Sequence, residues 1–117
     1  RAVAGAVADL AGPISAVPVS GPPSPMRLAL LPPRPNPFNP RTEIAFSIPE
    51  QGPVTVRVYD ARGRVVRTLV DAVLPAGADS VTWNGQDEKA AETASGLYFV
   101  RLEHAHGVRT ERVTLVR

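Results

Sequence analysis

Few side chains in this sequence are of the types that carry out chemistry. It contains no cysteine, so neither a disulfide framework nor a thiolate metal site is available. Its two histidines, His104 and His106, lie in a predicted hairpin turn. Because they are two residues apart, these histidines could supply two metal ligands from one strand face, but zinc takes three or four ligands. We favour exposed turn histidines and assign no metal site and no cofactor.

A hydroxyl nucleophile is equally hard to place. Within the predicted β domain the candidates are Ser47, Ser80 and Ser95. None of them lies in a nucleophile-elbow pattern, which would expose the serine oxygen beside a base. We therefore assign no catalytic residue, and the sequence does not indicate an enzyme.

The oxygen-rich segment Asn84-Gly85-Gln86-Asp87-Glu88 allows two ligand hypotheses. Calcium is one, although the segment lacks the alternating acids and spaced bidentate glutamate of an EF-hand loop. Sugar is the other, with Trp83 as a stacking platform. Because Trp83 alternates in phase with Val81, a core tryptophan is favoured. We expect 84–95 to be a solvated connection between strands, and keep a carbohydrate-binding module as an alternative.

Two other aromatic side chains are ambiguous in the sequence. Tyr59 is out of phase with the valines of its strand, and Phe99 is out of phase with its neighbours. They could form an exposed aromatic patch or line the inner face of a second sheet.

The basic tip Arg62-Gly63-Arg64 could contact an anion, but a solubilising hairpin turn is the simpler interpretation.

Length and charge narrow the class of protein. The 117 residues suit one domain plus a tail, and the net charge is +2. Basic residues are scattered among acids, whereas a nucleic-acid surface shows a denser basic stripe. We therefore expect no nucleic-acid partner.

No apolar run approaches the roughly 18 residues of a membrane-spanning helix, so we expect no direct membrane span. The chain begins with Arg1 rather than Met, which suggests a trimmed fragment.

Proline divides the chain into two parts. Of the 13 prolines, all but Pro75 lie at or before Pro53. Residues 1–26 are rich in Ala, Pro and Gly, a composition typical of a linker or arm. Residues 27–117 are expected to form a β domain. Alternatively, Ala2 to Leu10 could form a strand that pairs with a neighbouring subunit.

From Met26 onward apolar side chains alternate with a period of two, which predicts strands. Arg27 to Leu31 is a possible first strand, Val65 to Val70 is a strand of ambiguous register, and Val108 to Val116 is the last. With turns between them, about seven strands and no helix predict an all-β, two-sheet sandwich. The inward rows are Ile44, Phe46 and Ile48; Val54, Val56 and Val58; Val81 and Trp83; and Tyr98, Val100 and Leu102.

The segment Arg34 to Pro40 precedes this alternation. Its prolines fix φ and remove backbone donors, so it can be neither helix nor central strand. Phe38 is its only large apolar side chain and is expected to enter the core. We interpret the segment as a stiff, non-catalytic lead-in. The positions assigned to structural motifs are Pro35, Asn36, Pro37, Phe38, Asn39, Pro40, Trp83, Gly96 and Tyr98.

Five short motifs follow one another in a fixed order. They are Pro-Asn-Pro-Phe-Asn-Pro (35–40), Val-Tyr-Asp-Ala-Arg-Gly-Arg-Val-Val (58–66), Leu-Pro-Ala-Gly (74–77), Val-Thr-Trp-Asn-Gly (81–85) and Ala-Ser-Gly-Leu-Tyr-Phe-Val-Arg-Leu (94–102). This series resembles the immunoglobulin-like C-terminal module of many secreted bacterial proteins. It is similar both to the Ig-like domain of the flagellar hook-capping protein and to type IX secretion sorting domains.

The resemblance implies an immunoglobulin/fibronectin-III-like sandwich, preceded by an extended Pro-rich linker. It also implies a non-catalytic module of a secreted or cell-surface bacterial protein, acting in sorting, anchoring or assembly. In the sorting version, secretion or anchoring machinery reads the C-terminal segment. The matching residues here are Arg112, Val113, Thr114, Leu115, Val116 and Arg117.

A physical argument accompanies that implication. A mobile, accessible last strand could present backbone donors and acceptors for strand addition. Its basic tip could sit against an acidic receptor surface. In the structural-assembly alternative, the partners would instead be neighbouring subunits held by the arm Ala2 to Leu10.

Overall fold

The computed structural model describes residues 27–117, which form two antiparallel sheets. The strands are β1 (Ala29–Leu30), β2 (Thr42–Ile48), β3 (Gly52–Asp60), β4 (Val65–Leu74), β5 (Gly77–Trp83), β6 (Gly96–His104) and β7 (Gly107–Leu115). One sheet has the order β1-β2-β5 and the other the order β4-β3-β6-β7. Within 27–117 there is no helix. The predicted all-β sandwich of seven strands is confirmed, while the arm and linker predicted for 1–26 lie outside the described residues.

The core lies between the two sheets and is built from the alternating rows. Val56 pairs with Leu102 and Val58 with Val100 across β3 and β6, and all four side chains are fully buried. Each such side chain stabilises the fold by about 1.5–3 kcal/mol relative to an exposed one. The buried hydrophobic set is Leu28, Leu30, Phe38, Ile44, Phe46, Ile48, Val54, Val56, Val58, Trp83, Tyr98, Val100, Leu102, Val113 and Leu115.

Strand β4 is longer and less regular than its sequence indicates. It runs to Leu74 instead of ending at Val70. Its pairing with β3 shifts between Val56 and Arg57, so that Leu69 is an extra residue between two paired ones. A bulge of this kind bends the strand, and here both Leu69 and Val70 pack against the core. The connection to β5 is short, because β5 already begins at Gly77.

The hairpin between β3 and β4 closes as its sequence predicts. Gly63 has a φ of 85°, a conformation that glycine adopts without steric cost. The Asp60 carboxylate accepts the backbone N–H groups of Arg62 at 2.9 Å and Arg64 at 3.0 Å, and also the Arg64 guanidinium at 2.9 Å. The hydrogen bond from the Arg64 backbone is the main cause that lowers the pKa of Asp60. In its charged form, the Asp60 carboxylate thus fixes the loop between β3 and β4.

Candidate interaction site at the end of strand β7

Three of the sequence motifs converge on one aromatic cluster beneath the end of β7. The ring centroids of Phe38 and Trp83 are 5.3 Å apart at 52°, and those of Trp83 and Tyr98 are 5.1 Å apart at 69°. Tilted and edge-to-face geometries of this kind are favourable for aromatic pairs. The polar atoms are also satisfied, since Trp83 Nε1 donates to the Gln86 carbonyl at 2.9 Å and Tyr98 Oη to that of Ala94 at 2.6 Å.

The position of Trp83 excludes its use as a sugar platform. Its side chain is fully buried and packs against the rings of Phe38 and Tyr98. A stacking platform must expose one face of the indole to the ligand. The carbohydrate-binding alternative is therefore wrong as far as it depends on Trp83.

The outer edge of β7 is covered by the proline-rich segment. The Phe38 N–H donates to the Thr114 carbonyl at 2.9 Å, and the Val116 N–H donates to the Phe38 carbonyl at 3.0 Å. The Asn36 side chain continues this ladder: its Nδ2 donates to the Arg112 carbonyl at 3.3 Å, and its Oδ1 accepts the Thr114 N–H at 2.9 Å. One side-chain amide and one residue of backbone thus satisfy an edge that would otherwise be free.

The prolines explain why the ladder stops there. Pro37 lies between Asn36 and Phe38 and has no N–H to offer to a further strand. The peptide bonds that precede Pro35, Pro37 and Pro40 are cis. The motif therefore closes the sheet at this edge instead of extending it, which is a role that the expected stiff lead-in did not specify.

Arg117 is held against the loop between β5 and β6. Its guanidinium donates to the Thr93 carbonyl at 2.5 Å and to the Gly85 carbonyl at 2.6 Å, and lies 3.4 Å from a Glu92 carboxylate oxygen. Its backbone N–H donates to Ser95 Oγ at 2.9 Å. This set of contacts fixes the end of the segment that follows β7.

Gly85 makes this arrangement possible. It has a φ of 76°, and a Cβ at this position would lie 2.9 Å from Arg117 Nη2 and 3.4 Å from the Pro40 carbonyl oxygen. We expect Gly85→Ala to lower the free energy of unfolding by about 1–3 kcal/mol. Gly63→Ala is the matched control, since φ is also positive there but nothing lies within 4 Å. In chemical denaturation, an equal loss in both variants would contradict a specific role for the Arg117 contacts.

The six residues predicted as a recognition end fall into two groups. Val113 and Leu115 are buried in the core, so they are not available to a partner. Arg112 and Val116 are exposed, while Thr114 is half-buried and Arg117 has its guanidinium engaged. The expectation of an accessible last strand is wrong for the backbone edge of residues 112–116, because Asn36 and Phe38 occupy that edge.

The loop over 84–95 is organised by its own hydrogen bonds. Asp87 Oδ1 accepts the N–H groups of Lys89 at 2.9 Å and Ala91 at 3.0 Å. The Gly85 carbonyl accepts both the N–H and the hydroxyl of Thr93, at 2.9 and 2.8 Å. Across residues 27–117, no three His, Cys, Asp or Glu side chains are grouped so that they could hold a metal ion. The loop's oxygens serve the backbone and Arg117.

The histidines differ from their expected environment. His104 is buried, with 9 % of its surface exposed, so the prediction of two exposed turn histidines is wrong for this residue. Its Nε2 lies 3.1 Å from the Glu50 carbonyl oxygen, and its ring stacks on that of His106 with centroids 5.4 Å apart. His106 Nε2 lies 2.7 Å from a Glu50 carboxylate oxygen. Both side chains thus connect the β6–β7 turn to the β2–β3 turn.

Strand register settles the ambiguity of Tyr59 and Phe99. The two residues are direct cross-strand partners on β3 and β6. They alternate with Val58 and Val100, which are fully buried, so they lie on the outer face of the four-stranded sheet. Neither lines an inner face, and the structure supports the interpretation as a surface patch, in which both side chains are half-buried.

Comparison with known proteins identifies the family. The family model described as the FlgD Ig-like domain matches residues 38–107, which is more than half of the chain. The chain belongs to the FlgD Ig-like domain family. The match begins at Phe38 and includes the Trp83 and Tyr98 positions, so the aromatic cluster lies within the family's domain. A comparison with curated protein sequences found no significant match.

Solved structures agree with this family in fold. FlgD of P. aeruginosa is similar at 23 % identity with a TM-score of 0.53, over 63 % of this chain and 61 % of that one. FlgD of Xanthomonas campestris, described in connection with the hook capping essential for flagellar assembly, is similar at 21 % identity with a TM-score of 0.52, over 73 % of this chain and 64 % of that one. Latent PorU of Porphyromonas gingivalis is similar at 16 % identity with a TM-score of 0.57, over 88 % of this chain and 10 % of that one. The chain spans less than two thirds of each of these proteins.

Membership of the FlgD Ig-like domain family describes the fold, not an individual role. At these identities the structural likeness shows the fold alone. In the part of the chain that the structure describes, no helix is long and apolar enough to cross a membrane. Because the comparisons show the fold alone, the site at the end of β7 is interpreted from its own geometry.

Proposed function

We propose that this domain is a non-catalytic interaction module of a larger bacterial protein, acting in sorting, anchoring or assembly outside the cell or at its outer surface. The observation that carries the proposal is the fixed presentation of residues 112–117. The edge of this segment is held by Asn36 and Phe38, and its end is held by the 84–95 loop. Pre-organised surfaces bind without the entropic cost of ordering a flexible segment.

The similar proteins give this proposal its direction. PorZ of Porphyromonas gingivalis, described as an essential bacterial surface component of the type IX secretion system, shares the fold at 18 % identity with a TM-score of 0.50, over 77 % of this chain and 11 % of that one. The secretion system of PorZ and the hook capping of FlgD are both protein assemblies. The partners proposed here are accordingly secretion or anchoring machinery, or neighbouring protein subunits.

Within the terminal segment, the outward-facing side chains are the proposed recognition residues. Arg112 and Val116 are exposed on the outer side of β7 and beyond its end. The Arg117 guanidinium remains bound to carbonyls of the loop. An acidic or mixed acidic–apolar receptor surface would complement Arg112 and Val116.

The non-catalytic character of the module is supported by how its reactive side chains are used. His104 contacts the Glu50 carbonyl, and Ser47 Oγ donates to the Arg27 carbonyl at 2.5 Å. Ser95 Oγ accepts the Arg117 N–H. Each of these groups has a structural partner, and none is paired as nucleophile and base.

The test must spare the core. Deleting residues 113–117 would remove the buried Val113 and Leu115, so a loss of export would report unfolding as readily as lost recognition. We expect the double variant Arg112→Glu, Val116→Ser to reduce surface display in the native host by about tenfold, with an unchanged melting temperature. Arg109→Glu, an exposed charge reversal on the same strand, is the matched control. Normal display of the double variant would remove the proposal.

The alternative of a structural subunit concerns the arm. Pairing of Ala2 to Leu10 with a neighbouring subunit stays a prediction, since these residues lie outside the described part of the chain.

A further inference from the structure

The outer face of the four-stranded sheet has an unusual composition for a solvated surface. Cross-strand register places Tyr59 beside Phe99, and Phe99 beside Arg112. The next row contains Arg57 beside Arg101. Side chains of directly paired residues lie on one face, about 4.5–5.5 Å apart at Cβ. The centre of this face is therefore two aromatic rings bordered by three guanidinium groups.

Exposed apolar side chains concentrate on the same face. Val65 pairs with Tyr59, Val73 with Pro53, and Val108 with Glu103, while Leu97 alternates with the buried Tyr98. Their exposed fractions are 51 % for Val65, 62 % for Val73, 43 % for Val108 and 41 % for Leu97. Val65 lies in the same row as Tyr59 and Phe99, and Leu97 is two residues from Phe99 on β6. Val73 and Val108 lie toward the other end of the sheet, beside Pro53 and Glu103. Adjoining apolar side chains such as Val65 and Leu97 beside the aromatic pair are typical of interaction sites, whereas single ones need no explanation.

The pair Arg57 and Arg101 points to a missing anion. Like charges directly opposite each other on neighbouring strands destabilise a sheet. Arg101 has a partner in Glu103 at 3.0 Å, but among residues 27–117 no carboxylate lies within 4 Å of the Arg57 or Arg112 side-chain nitrogens. The arrangement lowers the stability of the isolated domain, and a bound carboxylate would relieve the repulsion.

We propose that this face binds an extended, acidic segment of a partner protein that carries one large apolar side chain. The face has a place for that side chain: a depression of about 280 Å³ lined by Tyr59, Asp60, Ala61, Gly63, Phe99, Arg101 and Thr110. The Asp60 carboxylate in this lining is already paired with the Arg64 guanidinium at 2.9 Å. Acidic residues on either side of the anchor would pair with Arg57 and Arg112. Tyr, Phe and Arg are the residue types enriched in protein interfaces.

The observations favour a protein segment over a nucleic acid. Glu103 and Asp71 lie on the same face, as the partners of Thr55 on the two neighbouring strands. These carboxylates would repel a continuous phosphate backbone, which requires an uninterrupted basic track. A segment with separated carboxylates can place them on the arginines and its neutral residues near Glu103. This inference rests on the proposed function, for which it names the partner's chemistry.

The test measures binding by the full 117-residue chain. The probe is a fluorescein-labelled peptide in which Glu alternates with Thr around one central Phe, followed by fluorescence polarisation. We expect Arg57→Glu to weaken binding by about tenfold, because one attractive contact becomes repulsive. The same variant should raise the melting temperature, since Glu would then face Arg101 across the strands. A residue with a purely structural role would not show these opposite changes.

Three controls decide the outcome. Arg41→Glu makes the same charge change at an exposed position before β2, in the other sheet, and should leave binding within about twofold. A peptide with Gln in place of Glu should bind about tenfold more weakly than the acidic one. Equal binding of the two peptides, equal weakening by Arg41→Glu, or tighter binding of a single-stranded oligonucleotide than of the acidic peptide would each overturn the inference.

The binding result and the display result are separable. Peptide binding is measured on purified protein and does not depend on export. If the acidic-peptide inference fails, surface display of the Arg112→Glu, Val116→Ser variant is still a valid test of sorting. Conversely, normal display of that variant would remove the proposed recognition end without changing the polarisation result for Arg57→Glu.

Discussion

Trp83→Ala is expected to lower the free energy of unfolding by about 3–5 kcal/mol, the usual cost of truncating a buried aromatic side chain. Trp83 is fully buried and joins Phe38 to Tyr98 in the aromatic cluster. Its removal would leave a cavity between the two sheets, beneath the end of β7. Since a small domain has a total stability of about 5–15 kcal/mol, the loss should be measurable as a large shift in the urea midpoint of the full chain.

The control for this prediction is Trp83→Phe. It retains most of the ring packing but removes the Nε1 hydrogen bond to the Gln86 carbonyl, so we expect a smaller loss, about 1–3 kcal/mol. A cost below about 1 kcal/mol for the alanine variant would contradict the central position of Trp83 in the core. It would also reopen the question of what this residue does.

Phe38→Ala is expected to lower the free energy of unfolding by a similar amount, about 3–5 kcal/mol. It should also affect the edge of β7, which is far from Phe38 in the sequence. The Phe38 ring is 2 % exposed, and its burial anchors the segment whose backbone pairs with Thr114 and Val116. Without the anchor, this segment should detach from the edge of β7. The Val116 amide, which donates to the Phe38 carbonyl, should then exchange faster with deuterium than amides in the β3–β6 ladder.

Asn36→Ala separates the anchor from the hydrogen bonds. It removes the two side-chain contacts to Arg112 and Thr114 but leaves the Phe38 ring in the core, so we expect a loss of about 1–2 kcal/mol. Val116 should stay protected in this variant and lose protection in Phe38→Ala. If its exchange rate in Phe38→Ala equals that in the unaltered protein, the ring does not hold the edge.

Much of this fold could be predicted because its strands have one buried face. In β2, β3 and β6 a period of two places Ile44, Val56 and Val100 on the inside, and a one-residue slip would expose them all. The same reasoning failed in β4, where bulges at Leu69 and Val66 interrupt the period. Paired valines at such positions fit either register, so the sequence alone leaves the choice open.

The site at the end of β7 was less predictable because it joins residues that are far apart in the chain. Asn36 and Thr114 are 78 positions apart, and no local pattern announces that an amide side chain will complete a ladder. Arg117 is similar, since its partners are carbonyl groups, which carry no sequence signal. His104 resembled a turn residue because its partner, the Glu50 carbonyl, belongs to another turn.

The family assignment and the geometry supply different information. The FlgD Ig-like match covers 38–107, and thus excludes most of β7 and all of the Arg117 contacts. Features outside the matched range, including the edge ladder from Asn36 and the end of β7, are the ones on which the proposed function depends. Among these features, Asn36, Arg112 and Val116 can be substituted without removing a buried side chain.

The pairing of the 36–38 segment with β7 has a mechanical consequence. The two segments run parallel at Phe38 and Leu115, so tension applied at residue 36 and at residue 117 pulls them in opposite directions along the same axis. The hydrogen bonds of Asn36 and Phe38 are then loaded in shear and must rupture together, whereas antiparallel ends would unzip one bond at a time. A short ladder in this geometry shares the load among all its hydrogen bonds, so it resists force better than a ladder that unzips.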